Sequence, residues 1–542
     1  MVRICIYVFV CLSLASSLLA QDTSRPQTIQ VTSSFKPSLV PAAKILFNAT
    51  PPPPADIRKG LSYDIPQPQW MPLLQPVTLK PIALQIDTFN TRLKHNYFSL
   101  GAGNFRGLSS DALITFLQND HSRLQLKANT ISQRGPIPLQ QYRNSAVSLD
   151  GSTQLKQLTL YGKLGYRNDQ YFLYAPDPSN ASLPKDSMSR NFSDIHVNGG
   201  ISNGRIEKVD IRYLPSFDLH FFSDQLGNAE TNAAIDLPVE KKIMRQFTLM
   251  VHGKADFTHF RSANNATFNN HLYWINTALG IDQPNLKGKL GIQPTWNNGT
   301  MMLLPDMQFD VPLRSASTTL TFGWVAHLRK NNYQWVIAQN PFASPPATPF
   351  NTRTSQAFIG LKGKIINKVN YRITSGYTQM NDAALFVNNT LRPSRFDMVR
   401  EAYINAIHTF GEISYVQQEK FDVRATAELY RFLQVRTYDK AFHMLPFRFQ
   451  SHVRWYPINA MVVKADFFIW RGPQVLALPN TVARLGNAYD VNIALEYKTS
   501  SVLTLWLQGN NLLNNRYQRW NGYEVLGLNV LGGIRLTFDQ KQ

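Results

Sequence analysis

Apolar and polar residues alternate with a period of two along most of the chain, in segments of about ten residues; this is how strands with two unlike faces read. Phe247, Leu249, Val251, Ala255 and Phe257 alternate with Gln246, Thr248, His252, Lys254 and Asp256. Phe421, Val423, Ala425, Ala427 and Leu429 stand against Asp422, Arg424, Thr426 and Glu428. Phe447, Phe449, Val453 and Trp455 oppose Arg448, Gln450, His452 and Arg454. The same split recurs at Leu158, Leu160 and Leu164, at Tyr489, Val491, Ile493 and Leu495, and in the last segment at Val530, Ile534, Leu536 and Phe538. Each strand has one oily and one ionic face.

A soluble sandwich also alternates, so the spacing of the reversals has to decide between the two. Short turns are predicted at Asn119-Asp120, Gly151-Ser152, Asn203-Gly204, Lys241-Lys242, Gln283-Pro284, Ser315-Ala316, Asn367-Lys368, Gln418-Glu419, Pro457 to Asn459 and Ser500-Ser501. Longer connections fall between them, over 176–190, 340–354, 380–395, 435–444, 472–486 and 514–523. Short turns at one end and long loops at the other are the signature of an outer-membrane barrel, whose periplasmic turns are short. The fold class is therefore all-β, a closed antiparallel transmembrane β-barrel of about 22 strands, with 16 to 22 as the range the pattern allows. Trp455, Tyr456, Trp470, Tyr497, Tyr517 and Trp520 lie near strand ends and are assigned to the interfacial aromatic girdles.

The N-terminus divides differently. Arg3, an apolar run and small residues up to Ala20 make residues 1–20 a secretory signal peptide. Both cysteines, Cys5 and Cys11, lie in it, so the processed chain has no thiol for disulfides, thiolate metal sites or nucleophilic catalysis. Residues 21–94 form a proline-rich segment, with four consecutive prolines at 51–54, that is extended and periplasmic or housed in the lumen. Residues 95–542 form the barrel.

Charge and chemistry refine this picture. A net charge of +20 usually raises nucleic acid as a partner, but export and the lack of a contiguous basic run exclude it here. No Gly-x-Ser-x-Gly, His-Glu-x-x-His, phosphate-binding loop or dinucleotide fingerprint occurs, so no enzyme activity, cofactor or metal site is assigned. The strand histidines His252, His259 and His452 are read as wall residues. The charges placed on the lumen face are Lys127, Lys163, Lys254, Asp256, Arg424, Glu428, Arg448, His452, Arg454, Lys464 and Asp466. Their cationic surplus predicts a preference for anionic solutes.

Two stretches resemble the TonB-dependent outer-membrane receptors. Asn511-Leu512-Leu513-Asn514-Asn515-Arg516-Tyr517, with Gly533-Ile534-Arg535-Leu536-Thr537-Phe538 after it, looks like the closing hairpin of that family. Leu513 stands where the family usually has an aromatic residue. Gln27, Thr28, Ile29, Gln30 and Val31 are similar to the short box by which such receptors engage TonB. The Asn-rich, aromatic style is similar to outer-membrane proteins of the Bacteroidetes. The resemblance implies solute uptake across the outer membrane, with membrane lipid, TonB and an unidentified solute as partners. One departure stands out: the segment before the first strand is too short for the family's plug domain. The alternatives are a plugless barrel serving as subunit or scaffold of an outer-membrane complex with partner proteins, and a passive porin.

Overall fold

The computed structural model describes residues 96–538, apart from 120, 177–183, 204–210, 314–316, 367, 418–419 and 478–480. The signal peptide, the proline-rich segment and the TonB-box-like residues lie outside the described residues.

Among the described residues, 22 antiparallel strands form one closed barrel. The sheet contains 23 strand segments, two of which, Ile211–Tyr213 and Ser216–Asp224, are one strand interrupted at Leu214-Pro215, since both pair with Ala229–Met244. Proline has no N–H for the ladder, so the break falls where a ladder bond cannot form. Closure is made by Asn96–Gly103 against Asn529–Phe538, in register from Asn96 opposite Phe538 to Gly103 opposite Leu531. A spanning sheet must close this way, because a free edge would leave N–H and C=O groups unpaired in hydrocarbon at several kcal/mol each.

The closing seam shows how a few side chains fix it. Gly101 faces Gly533 across the seam, and the Trp506 ring lies over both, where a Cβ on either glycine would collide with ring atoms. Trp506 Nε1 donates to Ser99 Oγ at 2.9 Å. Two glycines thus let one tryptophan bridge three strands.

Reversals at one end span 2 to 7 residues, from Arg245-Gln246 to 204–210; at the other they span 2 to 20, from Asn298-Gly299 to 331–350. Eight of the ten predicted short turns fall at these reversals or within a residue or two of them. Gly151 and Ser152 instead lie inside the strand Gln141–Leu155, and Lys241 and Lys242 inside Ala229–Met244. The loop predicted at 380–395 is mostly strand, because Val369–Asn388 runs on past the expected break.

The outward face of the barrel is apolar. Leu290 and Ile292, Ile359 and Leu361, Leu505 and Leu507, and Ile534 and Leu536 are exposed i, i+2 pairs on their strands. A belt of this size on a water-soluble protein would drive aggregation, and lipid is the medium that suits it.

Candidate functional site: the lumen and its cap

The inward face carries ion pairs centred on acids. Asp150 receives Lys127 at 3.3 Å and Lys163 at 4.0 Å. Asp236 receives His252 at 2.5 Å and Lys254 at 3.8 Å. Asp256 pairs with Lys330 at 2.5 Å, and His452 with Asp466 at 2.6 Å. Glu428 holds His408 at 3.1 Å and Arg448 at 2.8 Å, while Glu496 holds Lys464 at 2.9 Å and Arg535 at 3.0 Å. Arg424 sits opposite Ser414 and His452 in register, and Arg454 opposite Asp422 and Lys464. Sequence reasoning named one side of most of these pairs and missed Asp150, Asp236, Lys330, His408 and Arg535. Parity along each strand could have found them: Asp150 lies on the same face as Ser148, with which it hydrogen-bonds at 3.1 Å.

The long-loop end carries a packed cap formed by the chain itself. Described residues of the connections at that end, Leu173 and Ala175, several of 331–350, and Trp520 and Tyr523 of 511–528, pack together in an aromatic cluster. Tyr333 and Val336 come from a short helix, Tyr333–Gln339; Trp520 and Tyr523 come from a two-stranded turn formed by Gln518–Trp520 and Tyr523–Glu524; Phe342 and Phe396 complete it. All six are fully buried or nearly so. Phe342 stacks on Tyr523 with ring centroids 3.5 Å apart, and Phe192, Phe222 and Phe260 meet the cluster from the strands below. Trp470, Tyr517 and Trp520 therefore do not belong to a lipid girdle. Trp470 and Trp520 are buried at this end and Tyr517 half-buried against Trp470, while Trp455 and Tyr497 remain on the exposed face.

Polar anchors hold the cap to the wall. Asn332 makes no side-chain cap to the helix; Glu230, from the strand Ala229–Met244, replaces it, accepting from the Tyr333 N–H at 2.6 Å and the Gln334 N–H at 3.0 Å. A carboxylate is well placed at a helix N-terminus, where unpaired N–H groups and the helix dipole both favour negative charge. Tyr333 also donates to Asp224 at 2.7 Å, and Arg190 donates to the Ala343 carbonyl at 2.8 Å. Glu401 performs the same task for 436–446, accepting from the N–H groups of Arg436, Thr437 and Tyr438 at 2.7 to 3.0 Å. In that loop His443 Nδ1 lies 2.8 Å from the Phe386 carbonyl, and burial, assisted by the nearby Arg519 guanidinium, pushes the imidazole down to about 3. Arg519 lies over the Trp520 ring at 4.6 Å and is itself lowered to about 9 by burial.

The Asn-rich stretch of the closing hairpin acquires a physical explanation. Asn511 and Asn514 adopt positive φ of 48° and 51°, a conformation asparagine tolerates better than most residues. The Asn511 side chain accepts from the Asn515 N–H and donates to the Asn515 and Leu526 carbonyls, stapling loop 511–528 at its base. Beside this staple a cavity of about 70 Å³ is lined by Tyr142, Tyr171, Trp470 and Tyr517 together with Asn492 and Asn529. Trp470 Nε1, Asn492 Nδ2 and both side-chain polar atoms of Asn529 are buried there without a protein partner.

No protein-family model matches the chain, and no curated protein matches it by sequence. Solved structures do match. The FrpB iron transporter from Neisseria meningitidis (F3-3 variant) superposes with a TM-score of 0.62 at 10% identity, over 82% of this chain and 81% of that one. The siderophore receptor PirA from Acinetobacter baumannii gives 0.63 at 8%, over 82% and 80%. The ferripyoverdine receptor of the Pseudomonas aeruginosa outer membrane gives 0.61 at 10%, over 82% and 72%. At such identities the likeness is one of fold.

Proposed function

We propose that this chain is an outer-membrane uptake receptor driven through TonB, with its long loops facing outward and its short turns in the periplasm. The observation that carries the reading is the closed 22-strand barrel with an apolar exterior, whose fold is that of FrpB and PirA. An aromatic cap packed at the long-loop end supports energised passage over passive diffusion, since packed loops narrow the way in. The cavity beside the Asn511 staple, with aromatic walls and buried unpaired amides, is the candidate place for solute recognition. Acid-centred pairing offsets much of the cationic surplus of the wall, so any anion preference is milder than a count of lumen cations implies. Gln27, Thr28, Ile29, Gln30 and Val31 are the proposed contact with TonB, by strand addition.

The test is site-directed cross-linking in cells. Gln30→Cys should form a disulfide with a cysteine placed in TonB, and deleting 27–31 should abolish both the cross-link and growth dependent on the receptor. A barrel that reaches the outer membrane yet never cross-links, and whose deletion variant is indistinguishable from the parent, supports the scaffold reading instead.

A further inference from the structure

Inside the barrel, away from the pairs already described, the strands Ser189–Asn203 and Ser216–Asp224 bring His196, Asp218 and His220 together. Asp218 and His220 are two apart on one strand and so share a face. His196 lies directly opposite His220 in register, and the two imidazoles stack with centroids 4.2 Å apart. Both Nε2 atoms aim at one carboxylate: His196 Nε2 lies 2.9 Å from Asp218 Oδ2, and His220 Nε2 lies 2.9 Å from Asp218 Oδ1. The two ring nitrogens and a carboxylate oxygen lie within 4.8 Å of one another.

Behind His220 stands a second carboxylate. Its Nδ1 is 3.1 Å from both oxygens of Asp194. A metal-bound histidine commonly donates its other ring N–H to a carboxylate, which fixes the tautomer and strengthens the ligand. The wall pairs His252 with Asp236 and His452 with Asp466 each have a single histidine and so lack the donor set.

We propose that His196, Asp218 and His220 form a binding site for a divalent transition metal of borderline softness, open to the lumen, with Asp194 orienting His220. Two imidazoles and a carboxylate, with water in a fourth position, suit zinc and its first-row neighbours. Metal–ligand bonds of about 2.0 to 2.2 Å place tetrahedral donors roughly 3.4 Å apart, so the widest separation, within 4.8 Å, has to close and the two 2.9 Å contacts have to open slightly. The site is also tied to the cap. Gln334, on the helix Tyr333–Gln339, donates its Nε2–H to Asp194 Oδ2 at 3.1 Å, beside the Nδ1–H that His220 donates to the same carboxylate. Occupancy that fixes His220 and Asp194 therefore fixes the first turn of the capping helix, so the metal stabilises the packed cap. This goes beyond the uptake reading and does not depend on it.

The experiment uses the full chain, purified in detergent without a histidine tag and stripped with chelator. Zn²⁺ is titrated calorimetrically, and Co²⁺ serves as an optical probe of coordination. Expected are one saturable site and a Co²⁺ spectrum of low coordination number. His196→Gln and Asp218→Asn should abolish binding, and Asp194→Asn should weaken it by about tenfold or more. His252→Gln should bind as the parent does. Gln334→Ala should bind zinc within a few-fold of the parent but lose the zinc-induced slowing of hydrogen exchange in 333–339. Heat-modifiable gel mobility checks that each variant retains its barrel. Absence of saturable binding, or equal binding by a folded His196→Gln variant, overturns the site. Zinc binding with no effect on exchange in 333–339 in the parent overturns the link to the cap.

Discussion

Replacing Glu230 with alanine removes the acceptor for two backbone N–H groups at the start of the capping helix, one belonging to a fully buried Tyr333. In the folded chain Asn332 makes no side-chain cap, since it donates its own amide to the same carboxylate at 2.9 Å. An orphaned buried donor costs about 1 to 3 kcal/mol, and loss of the favourable helix-dipole contact adds roughly 0.3 to 1. Water reaching the gap returns part of this, so a local loss of about 3 kcal/mol is the working figure. Each 1.4 kcal/mol is tenfold, so the helix should open about 100 times more often. Hydrogen exchange followed by mass spectrometry, in nanodiscs, should show that acceleration in 333–339 with the strand amides unchanged. Planar-bilayer recordings should show larger or more frequent openings. Glu230→Gln, which keeps one acceptor, should fall between alanine and the parent. If Glu230→Ala leaves exchange and conductance at parental values while the barrel stays intact, the helix is not held by this carboxylate and the account of the cap is wrong.

Other consequences are equally specific. Val251→Arg, on the lipid face and opposite Val239 and Thr277, should lower unfolding stability by about 2 to 4 kcal/mol, whereas Thr426→Arg, inward and opposite Glu412, should change it little; urea titration of the refolded barrel compares them. Gly101→Val should prevent Trp506 from crossing the closing seam, giving a barrel that folds poorly or loses its heat-modifiable mobility. His443 is held near 3 in the fold and regains its ordinary value of about 6.5 when released. The released loop therefore binds the extra proton, and loop stability, complete above about pH 6.5, should decline as pH falls toward 3. Exchange in 436–446, corrected for intrinsic rates, should quicken between pH 6.5 and 4, and a flat profile contradicts the assignment.

The barrel was legible because a membrane imposes a period of two on every strand, and a one-residue slip would invert both faces. Turn-forming composition misled where strands face water. Gly151 pairs with Gly162 inside the barrel, and Lys241 and Lys242 lie at a polar strand end just before the true reversal at Arg245-Gln246. Hydration lets such residues occupy a strand without cost from lipid. The cap was not legible, because Phe342, Phe396 and the turn carrying Trp520 and Tyr523 are far apart in sequence and meet only through the tertiary fold. The histidine pair was hidden for the same reason: Asp218 and His220 show a same-face spacing on their own strand, but His196 joins them only through strand pairing.

The most direct measurement of the central claim is cysteine accessibility in intact cells, made simple because both native cysteines lie within residues 1–20. Ala483→Cys, in the exposed strand Thr481–Arg484 of connection 471–487, and Arg245→Cys, in a short turn, are each expressed and treated with a membrane-impermeant maleimide. A barrel in the outer membrane with its long loops outward predicts labelling of Ala483→Cys in intact cells and of Arg245→Cys only after the outer membrane is permeabilised. Labelling in the reverse order contradicts the orientation, and recovery of either variant in the soluble fraction contradicts the membrane barrel itself.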